Sequence, residues 1–251
     1  AALVLVIFHF GLGLWPKMSG RSWGLAGQSE GACRFLDANY GELKNLKMFN
    51  MWGWGGYMGW RLYPRYLVYQ DGRYIFHDFL EEVSEAMSNN GKWIDFTQRR
   101  GIALAVVSRT PSRHPVKTKL KNGKKQILHR PYYMFFFPRQ LWAVVYWDEA
   151  STVFVRRSLV SPQWLKEHEF KILRPDDFQY VTVKYQAGDI EEAALRKEVA
   201  LYFRTLGALK LDKAPFEVYY WWDFARKIKA ATASQPVKIP AKSVPAKIAG
   251  R

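Results

Sequence analysis

The sequence predicts an α/β protein in which a mixed sheet is flanked by helices and is preceded by the end of a transmembrane helix. Three observations support this fold class. The first 15 residues, AALVLVIFHFGLGLW, contain no Lys, Arg, Asp or Glu. The next part of the chain has the order strand, helix, helix, buried strand, which is typical of an α/β layer. Residues 142–157 have the pattern of two further strands joined by a turn.

The apolar segment 1–15 is shorter than the roughly 20 apolar residues that span a bilayer. Trp15 and Lys17 stand at its end, and both residue types are common at membrane interfaces. We therefore expect residues 1–15 to be a transmembrane helix end or an anchor; the alternative is a buried strand or helix. Residues 16–28 are rich in Gly and Ser and predict a linker.

An α/β soluble domain is predicted over residues 29–160. It begins with a short helix that Ser29 caps and that ends near Gly41, and the segment KMFNMWGW that follows begins with a short strand. Residues 66–69 predict a second strand, stopped by Asp71-Gly72. Residues 77–89 predict an amphipathic helix whose apolar face contains Phe79, Leu80, Val83 and Met87. A second short helix follows at residues 92–99, and GIALAVVSRT predicts a strand buried on both faces.

The segment 109–130 is a basic excursion from this domain, because it contains many Lys and Arg and no acidic residue. Asn122-Gly123 within it is a strong hairpin-turn signal. Residues 161–229 predict a helical, aromatic C-terminal extension, with its clearest helix between Asp189 as cap and Gly207. Residues 230–251 lack acidic residues and an apolar period, and predict a disordered cationic tail.

The overall charge is +16, from 38 basic and 22 acidic residues, so a polyanionic partner is expected. We expect the following side chains to contact anionic lipid or a partner: Lys117, Lys119, Lys121, Lys124, Lys125, Arg226, Lys227 and Lys229. The single cysteine, Cys33, excludes an internal disulfide and a cysteine-rich metal site. The five His lack zinc-ligand spacing, so neither a metal nor another cofactor is predicted.

The stretch NMWGWGGYMGWRLYPRYLVYQDGRY places large aromatic residues beside several glycines. Glycine allows the close approach of a backbone, a ring or a ligand. Two interpretations stay open: a compact aromatic core in which glycines make room, or an aromatic platform with Arg and Asp for a sugar or phosphate. The stretch has neither the P-loop nor the dinucleotide fingerprint.

This stretch resembles the segment that opens the soluble C-terminal domain of GT-C-type multi-spanning membrane glycosyltransferases, the superfamily of oligosaccharyltransferases and protein mannosyltransferases. The matching residues are Phe49, Asn50, Trp54, Gly55, Gly56, Tyr57, Trp60, Pro64, Asp71, Gly72 and Arg73. Residues 142–157 also resemble the closing hairpin of those domains, so the likeness covers about residues 1–160. Met51–Tyr57 is more distantly similar to the Trp-Trp-Asp-Tyr-Gly motif of oligosaccharyltransferases, but it lacks the acidic residue.

The resemblance implies a membrane-anchored extracytoplasmic domain, periplasmic in a bacterium, that shapes a site for a sugar or a lipid-linked substrate. It implies substrate contacts from Trp54, Tyr57, Trp60, Arg61, Asp71 and Arg73. For Asp71 and Arg73 the alternative is a structural role, in a turn and an ion pair. It assigns no catalytic residue here, because the family's catalytic carboxylates lie in loops between its early transmembrane helices. The expected partners are membrane lipids, a lipid-linked sugar and other membrane protein subunits.

Two other function classes remain open. The chain could be a non-catalytic accessory or scaffold subunit of a larger membrane complex. It could also be a basic nucleic-acid-binding protein, which is less favoured because no RNA-recognition, helix-turn-helix or zinc-finger pattern is present.

Overall fold

A computed structural model describes residues 29–72, 77–110 and 112–232, with the side chains of 77, 78 and 225–232 left out. The chain divides into two compact units. Within the described residues, the first unit comprises 29–109 and 133–166, and the second comprises 110–132 and 167–232. The predicted transmembrane helix end at 1–15, the linker 16–28 and residues 233–251 lie outside the described residues.

The first unit contains a four-stranded sheet and several short helices. Its strands are β1 (Lys47–Asn50), β2 (Ile102–Ser108), β5 (Trp142–Trp147) and β6 (Ser151–Arg156). Its helices are α1 (Glu30–Ala38), α2 (Tyr40–Leu43), α3 (Gly55–Leu62), α4 (His77–Ala86), α5 (Asn90–Arg99) and α6 (Tyr133–Phe136). Two 3-10 turns, Trp52–Trp54 and Arg157–Leu159, are also present, and α7 (Pro162–His168) begins at the end of this unit.

The sheet is mixed and has the strand order β1-β2-β6-β5. β1 is parallel to β2, while β2 with β6 and β6 with β5 are antiparallel. The four-residue pattern of β1 and the fully buried first part of β2 agree with a strand pair covered on both faces. The prediction of a mixed sheet flanked by helices is therefore confirmed.

An irregularity in β5 between Val144 and Tyr146 places these two side chains on opposite faces of the sheet. A bulge of this kind turns the following side chain to the other face. Phe154, opposite Val144, stacks on Phe137 at a centroid distance of 4.2 Å. Tyr146 instead stacks on Phe35 of α1 at 5.3 Å.

The second unit combines a two-stranded ribbon with helices. The ribbon consists of β3 (Arg113–Lys119) and β4 (Lys125–Pro131), and the helices are α8 (Phe178–Gln186), α9 (Glu192–Ala208) and α10 (Phe216–Thr232). The predicted hairpin is confirmed, since Gly123 has φ +82° at the turn. The basic segment was expected as an excursion of the sheet domain, but the structure groups it with the C-terminal helices, because Leu128 and Arg130 are buried and α8 packs against β4.

Four local predictions differ from the structure. Ser29 lies at the N-cap position of α1, but its side chain makes no capping hydrogen bond. Residues 66–69 do not form a strand, because Tyr66 N donates to the Leu62 carbonyl and Tyr69 N donates to the Asn50 side chain. Asp189 does not cap α9, which has Glu191 at its N-cap; Asp189 accepts from the Lys121 backbone N–H instead. The predicted tail begins inside α10, which continues to Thr232.

Candidate functional site

The buried amide of Asn50 holds the glycine- and aromatic-rich stretch against the edge of the sheet. Its Nδ2 donates to the Gln70 carbonyl at 2.7 Å, and its Oδ1 accepts from Tyr69 N at 2.7 Å. Gln70 returns a bond from its Nε2 to the Asn50 carbonyl at 2.8 Å. An amide side chain supplies two N–H donors and a separate acceptor oxygen at one position. Asn50 therefore fixes the segment that precedes Asp71.

The first half of this glycine- and aromatic-rich stretch has a structural role. A Cβ on Gly55 would lie 1.9 Å from the Gln70 carbonyl oxygen, so the two backbones approach too closely for any side chain. Trp54 is 2% exposed and packs in the core, so its ring cannot contact a ligand in this arrangement. For these residues the compact-core interpretation of the motif applies.

The second half of the glycine- and aromatic-rich stretch lies at the surface. Trp60 is 78% exposed, and its ring lies 5.9 Å from that of Tyr57, one turn earlier on α3. Tyr63 and Leu67, which follow α3, are 72% and 73% exposed. Large apolar side chains at this exposure, close together in sequence, are uncommon unless they serve an interaction. We name these four residues, Tyr57, Trp60, Tyr63 and Leu67, the α3 aromatic surface.

A network of ion pairs connects this surface to α1. Arg61 Nη1 lies 2.7 Å from Asp37 Oδ2, and its Nε lies 3.4 Å from Glu30 Oε2. Glu30 also accepts from Tyr57 Oη at 2.8 Å and pairs with Arg34 at 2.8 Å. Arg65 extends the network, because it lies 3.3 Å from Asp37 Oδ1 and over the Tyr40 ring. The network contains three guanidinium groups and two carboxylates.

The network changes the titration of its members. Burial alone would raise the pKa of Glu30, but hydrogen bonds from Arg34 and Tyr57 and the charge of Arg61 bring it below its ordinary value. Burial, together with the hydrogen bond to Glu30, raises the pKa of Tyr57 to about 12. Glu30 is thus an acceptor and Tyr57 a donor at neutral pH. Neither is set up as a general acid or base.

The other site residues predicted from the sequence lie in several different parts of the structure. Asp71 is half-buried directly after Gln70, and Arg73 lies outside the described residues. The five lysines Lys117, Lys119, Lys121, Lys124 and Lys125 are exposed on the ribbon of the second unit, away in sequence from α3. Arg226, Lys227 and Lys229 lie in the last part of α10, where side chains are not described.

Sequence reasoning did not identify Glu30 and Asp37 as partners of Arg61. The available signal was the i, i+4 spacing of Glu30 and Arg34, which marks a helix face but not its tertiary neighbour. It also missed a cavity of about 580 Å³ in the first unit, with Met51, Trp52, Leu80 and Val83 in its lining. This volume is within the range of small-molecule sites.

Comparison of the chain with protein-family models, with curated proteins and with solved structures gave no match. Among the described residues, none of the helices combines the length and apolar character needed to cross a membrane. The same part of the chain contains no cluster of three or more His, Cys, Asp or Glu that could hold a metal ion.

Proposed function

We propose that this chain is a membrane-associated, extracytoplasmic domain of the kind found at the C-terminus of GT-C-type glycosyltransferases, and that it binds the sugar of a lipid-linked substrate at the α3 aromatic surface. The observation that carries the proposal is the exposed Trp60 ring, adjacent to Tyr57 and Arg61 on one helix. An aromatic face covers the apolar face of a sugar ring, while charged groups at its border bind hydroxyl or phosphate oxygens.

Two further features support this assignment. Arg34, Arg61 and Arg65 provide guanidinium donors at the border of the surface, and guanidinium suits the bidentate binding of phosphate. The apolar cavity lined by Met51 and Trp52 begins just before α3 in the chain and suits part of a polyprenyl chain. In this proposal the domain positions a substrate and does not supply the catalytic carboxylates.

The test is binding of the full chain to neutral phosphatidylcholine vesicles that contain polyprenyl-phosphate mannose, compared with vesicles that contain polyprenyl phosphate alone. We expect the mannose-bearing lipid to bind more tightly. Trp60→Ala should remove most of this difference, roughly tenfold in affinity or about 1.4 kcal/mol. Phe216→Ala is the matched control, since it removes another ring that is 59% exposed.

Equal binding of the two lipids, or an unchanged difference in Trp60→Ala, would reject the proposal. Stable co-purification with other membrane subunits that Trp60→Ala disrupts, without any preference for the mannose lipid, would favour the accessory-subunit function instead. In that outcome the α3 aromatic surface is a protein interface.

A further inference from the structure

The ribbon of the second unit has two faces of different chemistry. Because side chains alternate along a strand, directly opposite residues share a face. One face contains the pairs Lys117 with Ile127 and Lys119 with Lys125, together with Arg113, Pro115 and His129. We call this the outer face, because these residues are exposed; Pro131, opposite Arg113 at its end, is buried. The other face contains Leu128 and Arg130, which are 2% and 4% exposed.

The other face, which we call the inner face, is held against α8 by side-chain contacts. Arg130 makes two hydrogen bonds of 2.6 Å to Asp177, and its guanidinium lies 3.3 Å from the centroid of the Tyr180 ring. His129 N donates to Gln179 Oε1 at 3.3 Å. A buried bidentate pair with a stacked ring fixes orientation as well as position. The lysines of the outer face are therefore presented in a fixed register.

The Asp189 carboxylate holds the turn of the ribbon through hydrogen bonds. Asp189 Oδ1 accepts from Lys121 N at 2.8 Å, and Asp189 Oδ2 pairs with Lys184 Nζ. Lys184 Nζ also donates to the Lys119 carbonyl at 3.1 Å. Asp189 thus fixes the ribbon backbone and Lys184, and it is not the counter-ion of the outer-face ammonium groups.

The outer face consequently accumulates positive charge. No Asp or Glu occurs between residues 110 and 146, so neither strand provides an acidic neighbour. Lys119 and Lys125 are directly opposite each other, an arrangement that is destabilising in an isolated ribbon. An external anion removes this repulsion, so the face is complementary to an array of negative charges.

Ile127 distinguishes between two sources of such charges. It is 59% exposed, in the middle of β4 and opposite Lys117, so an apolar side chain projects from the centre of a cationic face. Apolar residues among Lys and Arg are typical of surfaces that lie in a membrane interface. Besides Arg, the side chains that typically read or stack on bases are Asn, Gln, Phe, Tyr and Trp. The outer face has none of these five residue types.

We propose that the outer face of the β3–β4 ribbon docks on the headgroups of an anionic bilayer. Lys117, Lys119 and Lys125 neutralise lipid phosphates, and Ile127 enters the interface between headgroups and acyl chains. This inference is independent of the sugar site, because it concerns the other unit and requires no sugar.

The experiment measures flotation of the full chain with phosphatidylcholine vesicles and with vesicles that also contain phosphatidylglycerol. The quantity compared is the gain in affinity due to the anionic lipid, so that binding that does not depend on lipid charge cancels. We expect the triple variant Lys117→Gln, Lys119→Gln, Lys125→Gln to lose about 100-fold of this gain, at roughly fivefold per lysine. Ile127→Gln should weaken binding several-fold.

The matched control is the triple variant Lys171→Gln, Lys197→Gln, Lys213→Gln, which removes the same charge from exposed positions of the same unit. It should retain the gain. Equal losses in the two triple variants would overturn the proposal, because net charge rather than the ribbon would then account for binding. Tighter binding to a DNA oligonucleotide than to anionic vesicles, at equal phosphate concentration, would also overturn it. Thermal unfolding of every variant verifies that the fold is retained.

Discussion

Gly55 lies against the carbonyl oxygen of Gln70, and a Cβ at position 55 would be 1.9 Å from that oxygen and 2.5 Å from the Asp71 Cα. The contact joins the start of α3 to the segment that leads towards Asp71-Gly72. It explains why a glycine stands between Trp54 and the rest of the helix, although the conformation there is ordinary and helical.

Gly55→Ala should therefore destabilise the first unit, because backbone atoms rather than a flexible side chain occupy the space. We expect a loss of about 1–3 kcal/mol in the free energy of unfolding. Gly56→Ala is the control, since nothing lies within 4 Å of its Cβ position. It should be neutral or stabilise α3 by up to about 1 kcal/mol. Urea denaturation measures both, and equal effects would contradict the close approach.

Asn50→Asp tests the amide clamp without changing its size. The carboxylate keeps an acceptor for Tyr69 N, but it loses both donors and faces the carbonyl oxygens of Gln70 and Met51. We expect a loss of about 3 kcal/mol in the free energy of unfolding. Asn122→Asp, at the exposed hairpin turn, should change it by less than about 0.5 kcal/mol. A stability of Asn50→Asp within that same margin would show that the clamp is dispensable.

The buried pair of Arg130 and Asp177 should be essential to the second unit. Asp177→Asn leaves a guanidinium that is 5% exposed without its carboxylate, and we expect a cost of about 3–5 kcal/mol. Asp95→Asn is the contrast, because its pair with Arg99 is exposed and should contribute less than about 1 kcal/mol. Chemical denaturation followed by circular dichroism compares the two. Similar costs would mean that burial does not set the strength of the pair.

The thiol of Cys33 predicts a specific dependence of stability on pH. Burial, with a smaller contribution from the charge of Glu30, raises its pKa from the ordinary 9.0 to about 12. The folded state thus favours the protonated thiol. Its contribution is fully present below pH 9 and is lost as the pH rises towards 12, because only the unfolded chain releases the proton in that range.

The expected loss between pH 7 and pH 10 is about 1.4 kcal/mol in the free energy of unfolding. Cys33→Ser lacks this titration and should not show that part of the loss. The folded protein should also react slowly with a thiol reagent at pH 8. Rapid reaction of the native protein, or the same pH profile in both proteins, would contradict the assignment.

At the α3 site, the local sequence pattern identified the segment but not which of its aromatic residues are buried. The interleaving of Gly and Trp predicted that residues 50–74 are special, and it left two interpretations open. Both apply, to different residues: Trp54 is core, whereas Trp60 is exposed. Sequence could not separate them, because helical phase relative to a neighbouring helix is decided by packing. Pairing of Arg61 with Asp37, 24 positions earlier, likewise depends on how α1 and α3 meet.

By itself, the sequence determined the elements whose signals are local. The apolar run of β2, the strand–turn–strand pattern of β5 and β6, the amphipathic period of α4 and the Asn-Gly turn of the ribbon all correspond to structure, because periodicity and turn chemistry act over a few residues. Tertiary structure alone decided that residues 66–69 are held by Asn50 instead of forming a strand. It also decided that Asp189 holds a hairpin instead of capping a helix, and that the basic segment belongs with the C-terminal helices. These outcomes depend on side chains and backbones distant in sequence, whose contacts no local pattern encodes.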